Sequence, residues 1–215
     1  RVLFRSLFSL TTFRAYNAEA LYHELKKITW ENIIPSDGYF SISSNVSNPN
    51  ITNNLFANVK VKDAIADRFR DLTGSRPDSG SMLDRAVVHL YWKEDFVEIF
   101  IDTSGETLSK HGYRKIPGKA PMLESLAAAN LLALQWNVET PFINPMCGSG
   151  TMAIEAALKA TGRTPGLLRK NYAFMHLVGF EHGEYDKHYQ ELVSKINDDV
   201  NVTIVASDIS EDAVN

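Results

Sequence analysis

The sequence predicts an α/β protein in two parts: an α+β region in front and, behind it, the opening half of a doubly wound parallel sheet. Three observations predict it. Helix-type and strand-type apolar periods alternate through residues 1–103. Residues 86–102 hold two strand-like runs around a short charged turn. From Pro141 the order becomes strand, glycine loop, helix, helix, strand. At about 150 residues per domain, 215 residues correspond to one to two domains. A hydrophobic share of 44% and a charged share of 22% exclude disordered and collagenous chains. The net charge of −4 lacks the basic excess of an obvious nucleic-acid binder. One cysteine excludes a disulfide framework and a cysteine-based zinc site and fits a cytoplasmic location. No run approaches the ~18 apolar residues of a membrane span.

In order, Val2–Leu10 reads as a strand and Ala18–Trp30 as a helix with Leu21, Leu25 and Ile28 on one face. Tyr39–Val46 is strand-like. Ala57–Leu72 is an amphipathic helix with Val61, Ala64, Ile65, Phe69 and Leu72 inward. Ser75–Ser81 reads as a loop. Ala86–Trp92 and Phe96–Asp102 form a hairpin, apolar on both faces and so expected to be central or covered on both sides. Residues 104–120, with three glycines and a basic run, mark the junction between a first domain, 1–103, and a second, 121–215. Pro121 opens a helix to about Trp136, with Leu123, Leu126, Ala127, Leu131 and Leu134 buried. Pro141–Ile143 is a short strand, Thr151–Ala160 a helix, Gly162–Phe180 irregular, Glu184–Val200 a helix and Val202–Ala206 a strand ending at Asp208. The chain opens on Arg1, and Ser210–Asn215 reads as the first turn of a new helix, so a fragment cut at both ends is expected.

The loop Asn144-Pro-Met-Cys-Gly-Ser-Gly-Thr151 carries the chemistry. A glycine turn between strand and helix presents backbone N–H groups at a helix N-terminus, and glycine lets a ligand approach without a Cβ in the way. An acid at the end of the next strand can accept from ribose hydroxyls. Gly148, Gly150 and Asp208 therefore form a nucleotide-binding constellation. Gly148–Ala153 matches G-x-G-x-x-A, but no acid stands about 20 residues on, as the dinucleotide fingerprint requires. A P-loop is excluded because no Gly-Lys-Ser/Thr follows.

The whole loop, followed by Ile154-Glu155-Ala156-Ala157, resembles the cofactor loop of S-adenosylmethionine-dependent RNA methyltransferases. Asp102–Leu108, Gly112-Tyr113-Arg114, Ala120-Pro121, Val61–Ile65 with Asp67–Phe69, and Pro165-Gly166-Leu167 with Arg169 extend the resemblance over nearly the whole chain. Their order is similar to that of the bacterial THUMP-domain methylases that modify guanine N2 in 23S ribosomal RNA. The resemblance implies the first half of a Rossmann-like class I methyltransferase domain, preceded by the end of a THUMP-type RNA-binding region. It implies S-adenosylmethionine as cofactor, with Asn144, Cys147, Gly148, Ser149, Gly150 and Thr151 in its loop, Asp208 on the ribose and Ile209 against adenine. The family's catalytic Asp/Asn-Pro-Pro-Tyr/Phe motif is absent, since no Pro-Pro pair occurs. It is expected beyond Asn215, so no catalytic residue is assigned and this polypeptide alone is expected to be inactive. The family's first loop acid is Asn144 here, which keeps an acceptor, loses the charge and is expected to weaken cofactor binding.

Lys110, Arg114, Lys115 and Lys119 are candidate RNA phosphate contacts, or a solvated linker. His176, His182 and His188 lack metal-ligand spacing, and no metal is expected. Trp30, Trp92 and Trp136 read as core. A tRNA guanine-N2 methylase, a dinucleotide-dependent oxidoreductase and a non-catalytic RNA-binding protein are the alternatives.

Overall fold

The computed structural model describes residues 5–51, 53–116 and 121–214. The chain folds as two units. One holds Arg5–Glu106 together with Asn171–Phe180; the other holds Thr107–Lys170 and the residues from Glu181 onward.

The first unit is a five-stranded sheet with two helices. Its strands are β1 (Leu7–Arg14), β2 (Tyr39–Ser47), β3 (Asp78–Gly80), β4 (Ala86–Lys93) and β5 (Phe96–Asp102), in the order β1-β5-β4-β2-β3. The hairpin β4–β5 pairs antiparallel, with Trp92 opposite Val97, and it is central as expected. Residues of even number on β4 and odd number on β5 turn toward the core: Val88, Leu90, Trp92, Val97 and Ile99 are fully buried. The opposite face of β4 and β5 carries the half-exposed His89, Tyr91, Glu98 and Phe100.

Helices α1 (Ala18–Lys27) and α2 (Asn54–Thr73) supply the other side of that core. Asn17 caps α1 by accepting from the Ala20 N–H at 2.8 Å, and Asn53 caps α2 by accepting from Leu55 at 2.8 Å. Gly74, at φ 73°, ends α2 in the left-handed conformation that glycine adopts without penalty. Val61, Ala64, Ile65 and Phe69 are buried as the sequence predicts. Leu72 is not: it is 56% exposed, on the last turn, beyond the end of the sheet-facing stripe. Arg68 ties α2 to the turn after α1 with two bonds to Glu31, at 2.7 and 2.5 Å.

Those bonds from Arg68 hold the Glu31 carboxyl below its ordinary range. The pair's contribution is therefore complete above the ordinary carboxylate pKa and is lost as pH falls through the depressed folded value. Glu31→Gln is expected to cost about 1 kcal/mol at neutral pH and to flatten the acid limb of a stability–pH curve. Denaturant titrations between pH 7 and pH 3 check both.

The second unit contains α3 (Glu124–Ala133), β6 (Phe142–Asn144), α4 (Thr151–Ala160), α5 (His182–Val193), β7 (Ile204–Ala206) and α6 (Glu211–Val214). Strands β6 and β7 pair in parallel, Phe142 with Ile204 and Asn144 with Ala206. Helix α4 spans the predicted residues. Its small residues let it pack on α3, with Ala127, Leu131 and Ala156 buried.

Several expectations shift. The first strand is Leu7–Arg14 rather than Val2–Leu10, and residues 2–4 of that expectation lie outside the described residues. Helix α1 stops at Lys27 because Ile28 turns extended; Trp30–Asn32 form a separate 3-10 turn in which the Trp30 indole donates to the Leu25 carbonyl at 2.8 Å. Residues 78–80 of the expected loop add a short parallel edge strand to β2. Helix α3 begins at Glu124, and Leu123, Leu126 and Leu134 are 53%, 49% and 69% exposed, so only Ala127 and Leu131 of the predicted stripe are buried. Trp136 is half-buried at the end of that segment, its ring edge-on to Phe142. Helix α5 spans His182–Val193 with no buried residue, shorter and shifted against the predicted 184–200.

The junction differs as well. Residues 107–116, read as part of a linker, are built into the second unit, where His111 is buried. Residues 171–180, read as an irregular stretch of the second domain, join the first unit. There the Phe174 N–H donates to the Thr103 carbonyl at 3.2 Å and Val178 to Ile33 at 2.9 Å. Among the described residues no helix is long and apolar enough to cross a membrane.

Candidate functional site

The parallel pair β6–β7 brings two separated pieces of sequence together at its carboxyl end. Beyond Asn144 and Ala206 the two chains stay linked: the Ser207 N–H donates to the Asn144 carbonyl at 3.0 Å, and the Cys147 N–H to the Ser207 carbonyl at 2.9 Å. The contact that defines the site follows. The Gly148 N–H donates to Asp208 Oδ2 at 2.8 Å, across 60 positions of sequence. Asp208 Oδ1 accepts the Ser210 N–H at 3.0 Å. Hydrogen bonds from Ser210, Gly148 and Ile209 hold the Asp208 carboxyl below its usual range, so it is ionised at neutral pH. A carboxylate has about four acceptor positions, so the two bonded oxygens keep room for further donors.

The loop itself is open. Gly148 has φ 53° and Gly150 φ 74°. A Cβ built on Gly148 meets nothing within 4 Å, and one on Gly150 meets only the Ile154 side chain at 3.9 Å. The glycines thus serve conformation and leave free space on the ligand side. The Gly150 N–H closes a tight turn onto the Cys147 carbonyl at 2.9 Å, and the first helical bond of α4 runs from Ile154 to Gly150 at 2.9 Å. The N–H groups of Thr151, Met152 and Ala153 therefore have no partner within the helix and point toward the loop. Ile209, fully exposed beside Asp208, offers an apolar surface. Open space at Gly148, unpaired helix N–H groups, an ionised acid and an adjacent apolar side chain fit the methionine, ribose and adenine parts of S-adenosylmethionine.

Asn144, Cys147, Gly148, Ser149 and Gly150 are all half-buried along this loop. The Cys147 thiol donates to the Gly148 carbonyl at 3.4 Å. Thr151 is placed differently from the expectation. The residue is 4% exposed, and its hydroxyl is taken up as acceptor for Arg114 at 3.0 Å. Arg114 is likewise turned inward, because its guanidinium donates to Thr151, to the Met122 carbonyl at 2.7 Å and to Glu124 at 3.3 Å. It is unsuited to RNA phosphate. Lys110 and Lys115 lie on the surface, and Lys119 lies outside the described residues.

A buried polar cluster stands behind the loop, and the sequence reading gave it no role. Glu124 is 5%, Glu155 4% and His111 8% exposed. His111 Nδ1 lies 2.6 Å from Glu155 Oε1, and the His111 N–H donates to Glu124. Burial and the nearby Glu155 carboxylate push the Tyr113 phenol well above its usual range. One sequence signal could have revealed the cluster: Glu155 sits among alanines on the packed face of α4, and a buried acid requires partners. A cavity of about 250 Å³ between α3 and α4 is separate from the loop. The two cations at its rim are engaged elsewhere, Lys159 with the Trp136 carbonyl and Arg163 with Asp198.

Two domain families match the chain in succession. Residues 15–102 match the THUMP domain family, and residues 111–215 match the RMKL-like methyltransferase domain family. Three solved structures align over 98% of the chain. One is described as a predicted N6-adenine-specific DNA methylase from Listeria monocytogenes, at 28% identity and a TM-score of 0.83. Another is the methyltransferase candidate SMU.472 complexed with SAH, at 26% and 0.83. The third is described as a possible methylase from Clostridium difficile 630, at 27% and 0.80. The chain spans 55%, 56% and 55% of those chains, respectively, or about half of each. The chain joins a THUMP domain to sequence of the RMKL-like methyltransferase domain family.

Proposed function

We propose that the protein transfers a methyl group from S-adenosylmethionine to guanine N2 of 23S ribosomal RNA. The observation that carries the cofactor part is the bond between the Gly148 N–H and Asp208, which sets an ionised acid beside an open glycine loop at the ends of two parallel strands. S-adenosylmethionine supplies an electrophilic methyl group on a sulfonium. In this reading Asp208 holds the ribose hydroxyls, Ile209 packs against adenine, and the α4 N-terminus and Asn144 receive the methionine end. The structure of SMU.472 with SAH supports the same cofactor class. The THUMP match supports RNA as substrate, and the order of the sequence motifs supports guanine N2 in 23S RNA. Lys110 and Lys115 are the remaining candidate phosphate contacts.

The description of the Listeria protein favours a second reading, adenine N6 in DNA. One experiment separates them. The full-length protein is incubated with methyl-labelled S-adenosylmethionine and, in parallel, with unmodified 23S RNA, tRNA or DNA, and the nucleosides are resolved by mass spectrometry. N2-methylguanosine from 23S RNA alone is the expected result. N2-methylguanosine from tRNA alone moves the substrate to tRNA, N6-methyladenine from DNA replaces the proposal with the second reading, and no transfer to any of them overturns both. In the same protein Asn144→Asp is expected to tighten cofactor binding a few-fold by restoring a charge near the methionine ammonium; unchanged affinity in calorimetry would dismiss that role.

A further inference from the structure

We infer that Arg114 and Thr151 form a positioning anchor for the glycine loop, so that His111, Arg114 and Glu124 set the geometry of the cofactor site without touching the cofactor. The inference rests on the cofactor reading above. It starts from a problem of the loop itself. With glycine at 148 and 150 and open space around both, the loop backbone is held from within only by the long thiol bond from Cys147 to the Gly148 carbonyl and the turn from the Gly150 N–H to Cys147, among the described residues. Its geometry must be set at its two ends. The strand end is held by Asp208. The helix end is held by Arg114.

The Arg114 guanidinium is a rigid planar fork, which fixes several partners at once. One nitrogen, Nη2, bridges the Met122 carbonyl at 2.7 Å and the Thr151 hydroxyl at 3.0 Å, while Nε donates to Glu124 Oε1 at 3.3 Å. The other Glu124 oxygen takes the His111 N–H, and the His111 ring reaches Glu155 at 2.6 Å. Thr151 and Glu155 stand four residues apart on α4, on one face and one turn apart. The helix is therefore gripped at two successive turns, by Arg114 and by His111, which fixes its rotation and its axial position. Those two quantities decide where the N–H groups of Thr151, Met152 and Ala153 point.

Stability alone is a poor reason for such an arrangement. Two buried carboxylates, a guanidinium and an imidazole are expensive to desolvate, and apolar side chains would fill the same space at lower cost. What the polar cluster adds is directional placement of α4.

The test uses the full-length protein as wild type, Thr151→Val, Thr151→Ser and Arg114→Lys. Three quantities are read: amide hydrogen exchange across residues 146–153, affinity for S-adenosylmethionine by calorimetry, and melting temperature. Valine keeps the shape of threonine and removes the acceptor; serine keeps the acceptor. Thr151→Val and Arg114→Lys are expected to speed loop exchange and weaken affinity, each by about tenfold, while exchange in β4 and β5 is unchanged. Thr151→Ser restores both readouts. A merely structural role would lower the melting temperature and leave the affinity of the folded protein as it was. Wild-type loop exchange in Thr151→Val and Arg114→Lys overturns the inference, whatever the cofactor. Absence of S-adenosylmethionine binding by the wild type, with loop exchange still responding, overturns the cofactor reading and leaves the anchor standing.

Discussion

Replacing Asp208 by alanine is expected to weaken S-adenosylmethionine binding by about hundredfold, because the hydrogen bonds that the proposed site takes from two ribose hydroxyls to a charged acceptor would be lost together with the anchor of the Gly148 N–H. The melting temperature should stay close to wild type, since Asp208 is not part of either core. Asp208→Asn isolates the two roles. Its amide oxygen still accepts from Gly148, but the amide nitrogen cannot accept from a hydroxyl, so its loss of affinity should be the smaller. The pH dependence follows from the same geometry. Backbone donors at Ser210, Gly148 and Ile209 favour the carboxylate, so it stays ionised to lower pH than an ordinary aspartate. Affinity should therefore be flat between pH 8 and about 5, with no loss until pH falls below the usual carboxylate range. Calorimetry on the full-length protein measures all three. Wild-type affinity in Asp208→Ala would remove the acid from the cofactor site.

The meeting of the glycine loop with Asp208 was legible in the sequence where chemistry and local geometry coincide. Gly148 and Gly150 must be glycine to hold positive φ beside open space, and an acid at the next strand end is the usual ribose partner, so both stood out as residue types in a pattern. The 60-residue contact from Gly148 to Asp208 was predictable because parallel strands place their carboxyl ends together. Arg114 and Thr151 were misread for a different reason. A basic residue in a run of lysines reads as surface charge, and a threonine at a helix start reads as a loop ligand; only the three-dimensional placement of His111, Arg114 and Glu124 beside α4 turns each toward the other. The leucines of α3 show the same limit. Their spacing marks one face of a helix, yet it cannot say whether that face meets a neighbour along its whole length, and three of the four, Leu123, Leu126 and Leu134, are exposed. The segment 171–180 carried no periodic signal because it forms only one 3-10 turn, Ala173–His176, and otherwise ties its backbone to single carbonyls of Thr103, Ser104 and Ile33.

The largest expected loss of stability lies at Asp102, in the stretch Asp-Thr-Ser-Gly that the sequence offered as part of a family motif. Its carboxylate is fully buried. It pairs with Arg5 and accepts the N–H groups of Ser104 at 2.9 Å and Gly105 at 3.2 Å. Around it the end of β5 is knitted to the start of β1: the Ser6 N–H donates to the Ser104 hydroxyl at 2.7 Å, and Thr103 donates back to the Ser6 carbonyl at 2.8 Å. Gly105 completes the turn at φ 74°, where a Cβ would stand 2.6 Å from the Leu83 carbonyl oxygen. Asp102→Ala strips the acceptor from two buried amides and leaves the Arg5 charge with only the Gly105 carbonyl, at an expected cost of about 3–5 kcal/mol. Most of that cost falls on the amides, because the Arg5 side chain is 25% exposed and its charge still reaches water. Asp102→Asn keeps one oxygen for those amides, so it should cost less than half as much. Denaturant unfolding of the two variants, compared at equal slope, measures the difference. A loss below about 1 kcal/mol in Asp102→Ala would mean that the turn is held by Thr103, Ser104 and Gly105 alone. The expected ordering assigns the motif's acid to architecture: it closes the first unit on itself at the point where the chain leaves β5 and where residues 173 and 174 return to the same turn.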